Sequence, residues 1–182
     1  MIKQIYFVNK NNNNLCGILK KINHSSPIIV LVHGFAGNKD ENGLFSEAEA
    51  YFSSKNINTF RFDFEGVGES KGDFIYSNLE SQIKDYKSAL SFVSSKYTHD
   101  NIYVIGFSLG ATVSILANDS RIKAYVLWSS ALFPKNDMFL RYNTPEIKRE
   151  LTEKGFIEKA GLKVGKNIIN DLGRYSLDNI MF

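Results

Sequence analysis

Gly106-Phe107-Ser108-Leu109-Gly110 sets a hydroxyl nucleophile between two glycines, each two positions away. A β-branched run, Asn101 to Ile105, precedes it, and a helical pattern follows from Ser108 to about Ala117. That context suits acyl transfer. A serine on a tight strand-to-helix turn stands clear of the sheet, and only small neighbours fit beside the strained backbone. The helix N-terminus directs amide groups and positive dipole toward an oxyanion forming on the attacked carbonyl. A second cluster, Val32-His33-Gly34-Phe35, follows another buried run. His33 precedes the serine by several elements and reads as a residue that organises its loop, not as a base.

Positioning these residues requires a sheet. Pro27 to Val32 is continuously apolar after its proline, as in a strand buried on both faces. Similar runs occur at Thr59 to Phe64, Asn101 to Ile105 and Ile122 to Trp128. Helical patterns lie between them, near Leu44 to Lys55 and from about Asn78 to Tyr97. The alternation predicts an α/β fold with a doubly wound, mostly parallel sheet. Asn11 to Asn14 reads as a hairpin turn near the N-terminus. After Ser130 the pattern changes. Thr144-Pro145-Glu146 is a helix start, and Gly155, Gly161, Gly165 and Gly173 break the rest into pieces read as short helices without further sheet.

Composition narrows the class. The 182 residues carry a net charge of +3 with scattered lysines, which points away from nucleic-acid or anionic-membrane partners. Cys16 is the only cysteine and reads as a small, half-buried strand residue rather than a metal ligand. No cofactor is called for, since Gly66-Val67-Gly68 lacks the third glycine and following helix of a dinucleotide loop. The N-terminus lacks the pattern of a signal peptide, and no run reaches membrane-span length, so a cytoplasmic location is expected.

Together with the serine turn, His33-Gly34-Phe35-Ala36-Gly37-Asn38-Lys39 and Arg61-Phe62-Asp63-Phe64-Glu65-Gly66-Val67-Gly68-Glu69-Ser70 make the chain resemble the α/β-hydrolase family. The branch most resembled holds cinnamoyl/feruloyl-esterase-like and serine-aminopeptidase-like members. The resemblance covers roughly Ile28 to Pro134. It implies Ser108 as nucleophile at the elbow formed with Gly106 and Gly110, and an oxyanion hole from the backbone amides of Phe35 and Leu109. It also implies a hydrolase core over 1–131 and a helical lid over 132–182. Phe107 and Leu109 depart from the His and Gln that flank the serine in esterase members, and Val67 stands where relatives often have histidine.

In this family the acid and then the histidine follow the serine. His24, His33 and His99 all precede Ser108. Asp137, Asp171 and Asp178 read as solvated charges in the lid segment, not as a triad acid. The expectation is a sheet incomplete on its C-terminal side, lacking two strand–helix units of about 60 residues at ordinary element lengths. Three functions follow: an ester hydrolase, inactive as the isolated chain, on a small acyl substrate; a non-catalytic fragment that binds acyl ligands or a complementary chain; or an aminopeptidase-like or lysophospholipase-like hydrolase. An open apolar edge at Ile122 to Trp128 predicts self-association or a complementary C-terminal fragment. Phe133, Phe139, Tyr142, Phe156 and Tyr175 fit either core packing or an aromatic acyl pocket.

Overall fold

The computed structural model describes residues 1–97 and 101–175. The chain opens with a hairpin, β1 (Ile2–Val8) and β2 (Asn14–Lys20), then enters the sheet proper with β3 (Ile28–Val32). Helix α1 (Leu44–Ser54) leads to β4 (Asn58–Phe62), α2 (Leu79–Ser94) to β5 (Ile102–Phe107), and α3 (Leu109–Leu116) to β6 (Ala124–Trp128). A π-helical turn, Lys135–Phe139, runs into the short α4 (Leu140–Tyr142), then α5 (Pro145–Lys154), the hairpin β7 (Phe156–Lys159) and β8 (Leu162–Gly165), and α6 (Lys166–Arg174).

The main sheet has the order β1-β2-β4-β3-β5-β6. Strands β4, β3, β5 and β6 are parallel, and β1 and β2 join antiparallel at one edge. Every residue of β3 and β4 is buried, as central strands require; β3 is wholly apolar, whereas β4 also buries Asn58, Thr59 and Arg61. Alternation sorts their side chains. Ile28, Val30 and Val32 face the larger core with α2, α3 and α6, whereas Ile29 and Leu31 face α1. Helix α2 begins where Asn78 caps it, its side chain accepting from Ser81 N at 2.7 Å while Ser81 Oγ accepts from Asn78 N. Thr144 caps α5 and Pro145 opens it, as the sequence indicates.

Two expectations are corrected. The segment after Ser130 is not purely helical: Phe156–Lys159 and Leu162–Gly165 pair antiparallel. Gly161 breaks no helix there. With Ala160 at φ 49° and Gly161 at φ 76°, it forms the two-residue turn of a hairpin. The strands are four residues each, and only Ile157, Val164 and Gly165 are buried, too short a run to stand out in the sequence. Cys16 is wholly buried rather than half-buried, because β2 lies between β1 and β4. Residues beyond β6, among them Met138, Ile157, Val164, Ile168 and Leu172, share the larger core with the sheet.

Candidate active site

Ser108 lies between the C-terminal end of β5 and the start of α3. Its backbone sits at φ 50°, ψ −119°, a conformation costing on the order of 1–3 kcal/mol for a non-glycine residue. Neighbours hold it there. Ser108 N donates to Trp128 O at 3.0 Å, and Ser108 O accepts from Ala111 N and Ala131 N. The glycines on either side allow close backbone contact. A methyl group on Gly106 would lie 2.5 Å from Ala111 Cα, and one on Gly110 would lie 2.3 Å from Val32 O. Gly110 thus packs α3 against the end of β3, where the second motif begins.

A methyl group on Gly34 would meet Ser108 Cβ at 3.1 Å, so the His33-Gly34-Phe35 turn touches the serine turn directly. Phe35 and Ser108 line one cavity of about 450 Å³, and Leu109 is the buried first residue of α3. That volume falls within the roughly 300–1,000 Å³ usual for small-molecule pockets. Gly34, Glu41, Phe107, Ser129, Ser130 and Ala131 line the same cavity, and Asp137, Met138, Arg141, Tyr142 and Lys159 complete it from the later segment.

His33 is a loop organiser. It is buried, its Nδ1 donates to Gly34 O at 2.9 Å, and its Nε2 accepts from Phe64 N at 3.2 Å. Both ring nitrogens are committed, which fixes the neutral tautomer. Burial lowers its pKa to about 4. The Arg61 to Ser70 motif is equally structural. Asp63, fully buried, accepts from Lys39 N at 2.7 Å and from Lys39 Nζ at 2.9 Å, and Lys39 Nζ also pairs with Glu69 at 2.6 Å. This clamps the 33–41 loop onto the loop after β4. Arg61 pairs with Glu49 at 3.2 Å and with Asp40, anchoring the same loop on its other side. Cys16, Asp63 and Glu69 bring ligand atoms within 4.8 Å of one another, but the Lys39 ammonium bonds both carboxylates and already supplies their counter-charge.

Glu41 escaped the sequence reading. Its Oε2 accepts from Gly34 N at 2.8 Å, so its carboxylate fixes the turn that carries the Phe35 amide. Burial raises its pKa, while the Gly34 amide opposes that rise. It stands at φ 44°, followed by Asn42 at φ 55° and Gly43 at φ 93°. In sequence it follows Asp40 just ahead of α1, where an acid reads as a surface charge favouring a helix start. A signal was available only in its spacing, seven residues after Gly34.

The other residues noted in sequence divide. Of the five aromatics in the lid segment, Tyr142 lines the cavity. Phe139, Tyr142 and Tyr175 pack on the larger core, and Phe133 is exposed. Asp137 lines the cavity but accepts from Phe133 N at 3.0 Å, and Asp171 accepts from Leu79 N at 3.0 Å at the start of α2. His24 contacts Lys21 before β3, at the end of the sheet opposite Ser108. His99 and Asp178 lie outside the described residues. No described side chain hydrogen-bonds the Ser108 hydroxyl.

A mostly parallel sheet with helices on both faces and a strained serine where a strand turns into a helix define an α/β hydrolase. The structure of Est1E from Butyrivibrio proteoclasticus with bound ferulic acid superimposes with a TM-score of 0.75 at 18% identity, over 95% of this chain and 72% of that one. The α/β hydrolase GrgF from Penicillium sp. sh18 does so with a TM-score of 0.74 at 14% identity, over 97% and 74%. Residues 23–161 match the family model of the serine aminopeptidase S33 hydrolases, and the chain belongs to that family. A monoglyceride lipase homolog of Monkeypox virus is 29% identical over 118 residues, 63% of this chain and 42% of the relative. The chain spans less than half the length of the curated relatives it matches. No described helix is long and apolar enough to cross a membrane.

Proposed function

We propose that the chain carries the nucleophile side of a serine hydrolase acting on carboxylic esters. In this reading Ser108 Oγ attacks the ester carbonyl, and the Phe35 and Leu109 amides hold the resulting oxyanion. The ester C–O bond then breaks, releasing the alcohol, and water hydrolyses the acyl-serine. The observation that carries the reading is the strained Ser108 backbone at the strand-to-helix turn, packed against Gly34 and open to a cavity shared with Phe35. Strain of this kind persists where surrounding structure enforces it, and it clusters at active sites. The segment after β6 acts in this reading as the lid, since Asp137, Met138, Arg141, Tyr142 and Lys159 supply one wall of the cavity.

A serine hydroxyl needs a base to be an effective nucleophile, and such assistance is typically worth about 10²–10⁴-fold. His33 cannot supply it while both its nitrogens hold the loop. Turnover by these residues alone is therefore slow in this reading. Treatment with a neutral fluorophosphonate, followed by peptide mass spectrometry, tests the nucleophile. The expected adduct is on Ser108 and absent in Ser108→Ala. An adduct confined to another hydroxyl would overturn the assignment.

A further inference from the structure

Four charged side chains line the cavity: Glu41, Asp137, Arg141 and Lys159. Glu41 lies on the floor beside Gly34, its Oε2 bonded to the Gly34 amide at 2.8 Å. Asp137 turns its carboxylate back to the Phe133 amide at 3.0 Å rather than toward Arg141 one helical turn later. Arg141 and Lys159, by contrast, have no ion-pair or hydrogen-bond partner among the described residues. They come from separate elements, α4 and the end of β7, yet both line the cavity that holds Ser108. Lys39 pairs with Asp63 and Glu69, Arg61 with Asp40 and Glu49, and Arg121 with Asp119. Two unpaired cations converging on one pocket form a receptor for a negative group. Glu41 and Asp137 each already accept from a backbone amide, whereas the two cations have no acceptor among the described residues.

On this basis, and resting on the reading of the cavity as the ester site, we propose that the substrate is an ester bearing a second, anionic carboxylate group. The ester lies toward Ser108 and Phe35, and the carboxylate lies at the lid, between Arg141 and Lys159. The guanidinium offers a planar fork that suits a carboxylate, and the lysine adds a point charge. Tyr142 and Met138 cover the intervening chain. Both cations are solvent-exposed, so their pull is screened and moderate.

Equilibrium binding to the full chain carrying Ser108→Ala tests this without hydrolysis. Its outcome does not depend on the serine hydroxyl, so it separates from the fluorophosphonate result. The probes are monomethyl glutarate, neutral dimethyl glutarate and cationic methyl 6-aminohexanoate, titrated at low ionic strength and followed by ligand-observed NMR. Monomethyl glutarate is expected to bind about tenfold more tightly than the dimethyl ester, a difference equivalent to about 1.4 kcal/mol. The ratio should shrink with added salt and fall to about one when Arg141→Gln and Lys159→Gln are combined. The exchanged pair Arg141→Lys with Lys159→Arg should keep most of it, which separates lost charge from a misfolded lid. Equal binding of the two glutarates, tighter binding of the amine, no binding of the monoanion, or a preference that survives the double Gln variant would each overturn the proposal.

Discussion

The two faces of the sheet are built to different standards. On one, α2, α3, α6 and the β7–β8 hairpin cover Ile28, Val30, Val32, Phe60 and Phe62 in a continuous core. On the other, the buried apolar cluster among the described residues is only Ile29, Leu31, Phe45 and Ile105, with α1 as its one helical cover, and Thr59, Arg61 and Glu49 are buried beside it. Toward β6 that second face opens. Pro27, Ile29, Phe52, Ile57, Tyr103 and Val126 surround an apolar depression, and Val126 and Trp128 are 56% and 38% exposed on the edge strand. Bare apolar surface of this kind marks a place where something docks, and an unpaired strand edge invites pairing. The candidate site stands at the strands' C-terminal ends above both faces. Its serine turn and its 33–41 loop are held from β3 and β5, while β6 bounds it with a strand unpaired on its far side among the described residues.

If the covered face carries the stability, truncating it must cost far more than altering the open one. Phe60 is fully buried and packs against Phe7, Phe62 and Phe92. Phe60→Ala is expected to cost about 3–5 kcal/mol in urea unfolding. A cost below about 1 kcal/mol would show that this core is not what holds the fold.

Burial on the covered side also predicts how stability depends on pH. His33 is depressed to about 4 by burial, so its contribution is complete above its ordinary 6.5 and is lost as pH falls toward 4. Asp85, on α2, is raised from 3.8 to about 6 by burial, although Asn9 and the Glu65 amide donate to it. Its effect has the opposite sign: stability is highest below 3.8 and declines as pH rises to 6. The two contributions oppose each other between pH 4 and 6 and largely cancel there. Asp85→Asn removes one slope, and its stability should climb by about 3 kcal/mol from pH 4 to 6.5. Parallel curves for the two proteins would contradict the raised pKa of Asp85, and a flat curve for Asp85→Asn would contradict the depressed pKa of His33.

At the site, Glu41→Ala leaves the Gly34 amide without its acceptor, at a cost of about 1–3 kcal/mol. Imidazole-assisted, Ser108-dependent ester cleavage should fall roughly tenfold or more by the same principle, and Glu41→Gln, which keeps an acceptor oxygen, should lose less. Unchanged cleavage in the alanine variant would show that the Glu41 bond to the Gly34 turn does not support the site. The smallest effect belongs to the open face. Val126→Lys should shift stability by less than about 0.5 kcal/mol. It should also reduce any self-association seen by size-exclusion chromatography, because a charge blunts an exposed edge. A large loss of stability would mean that β6 is better covered than its exposure indicates.

The central strands and the serine turn were legible in sequence because full burial writes continuous apolar runs, and a strained elbow demands glycines at fixed offsets. Pro27 to Val32 and the segment ending at Phe107 show both signals. The β7–β8 hairpin was not legible, because two four-residue strands present no run and Gly161 is ambiguous between a break and a turn. Glu41, Arg141 and Lys159 were not legible because nothing local distinguishes an acid or base that a loop turns inward from one in solvent. Lys39, Arg61 and Asp63 stand in the sequence as parts of two motifs, but only the structure gives their role, which is to clamp the loop that carries Phe35.

The central claim is that Ser108 is a nucleophile placed correctly but lacking a base among the described residues. Chemical rescue tests it most directly. p-Nitrophenyl acetate cleavage is measured at pH 7.5 with increasing imidazole, and the imidazole-only rate is subtracted. The account predicts little Ser108-dependent cleavage without imidazole, and a rise with imidazole that Ser108→Ala abolishes. Robust cleavage without imidazole that Ser108→Ala abolishes would reveal a base within the chain. An identical response from the native chain and Ser108→Ala would contradict the assignment of the nucleophile itself.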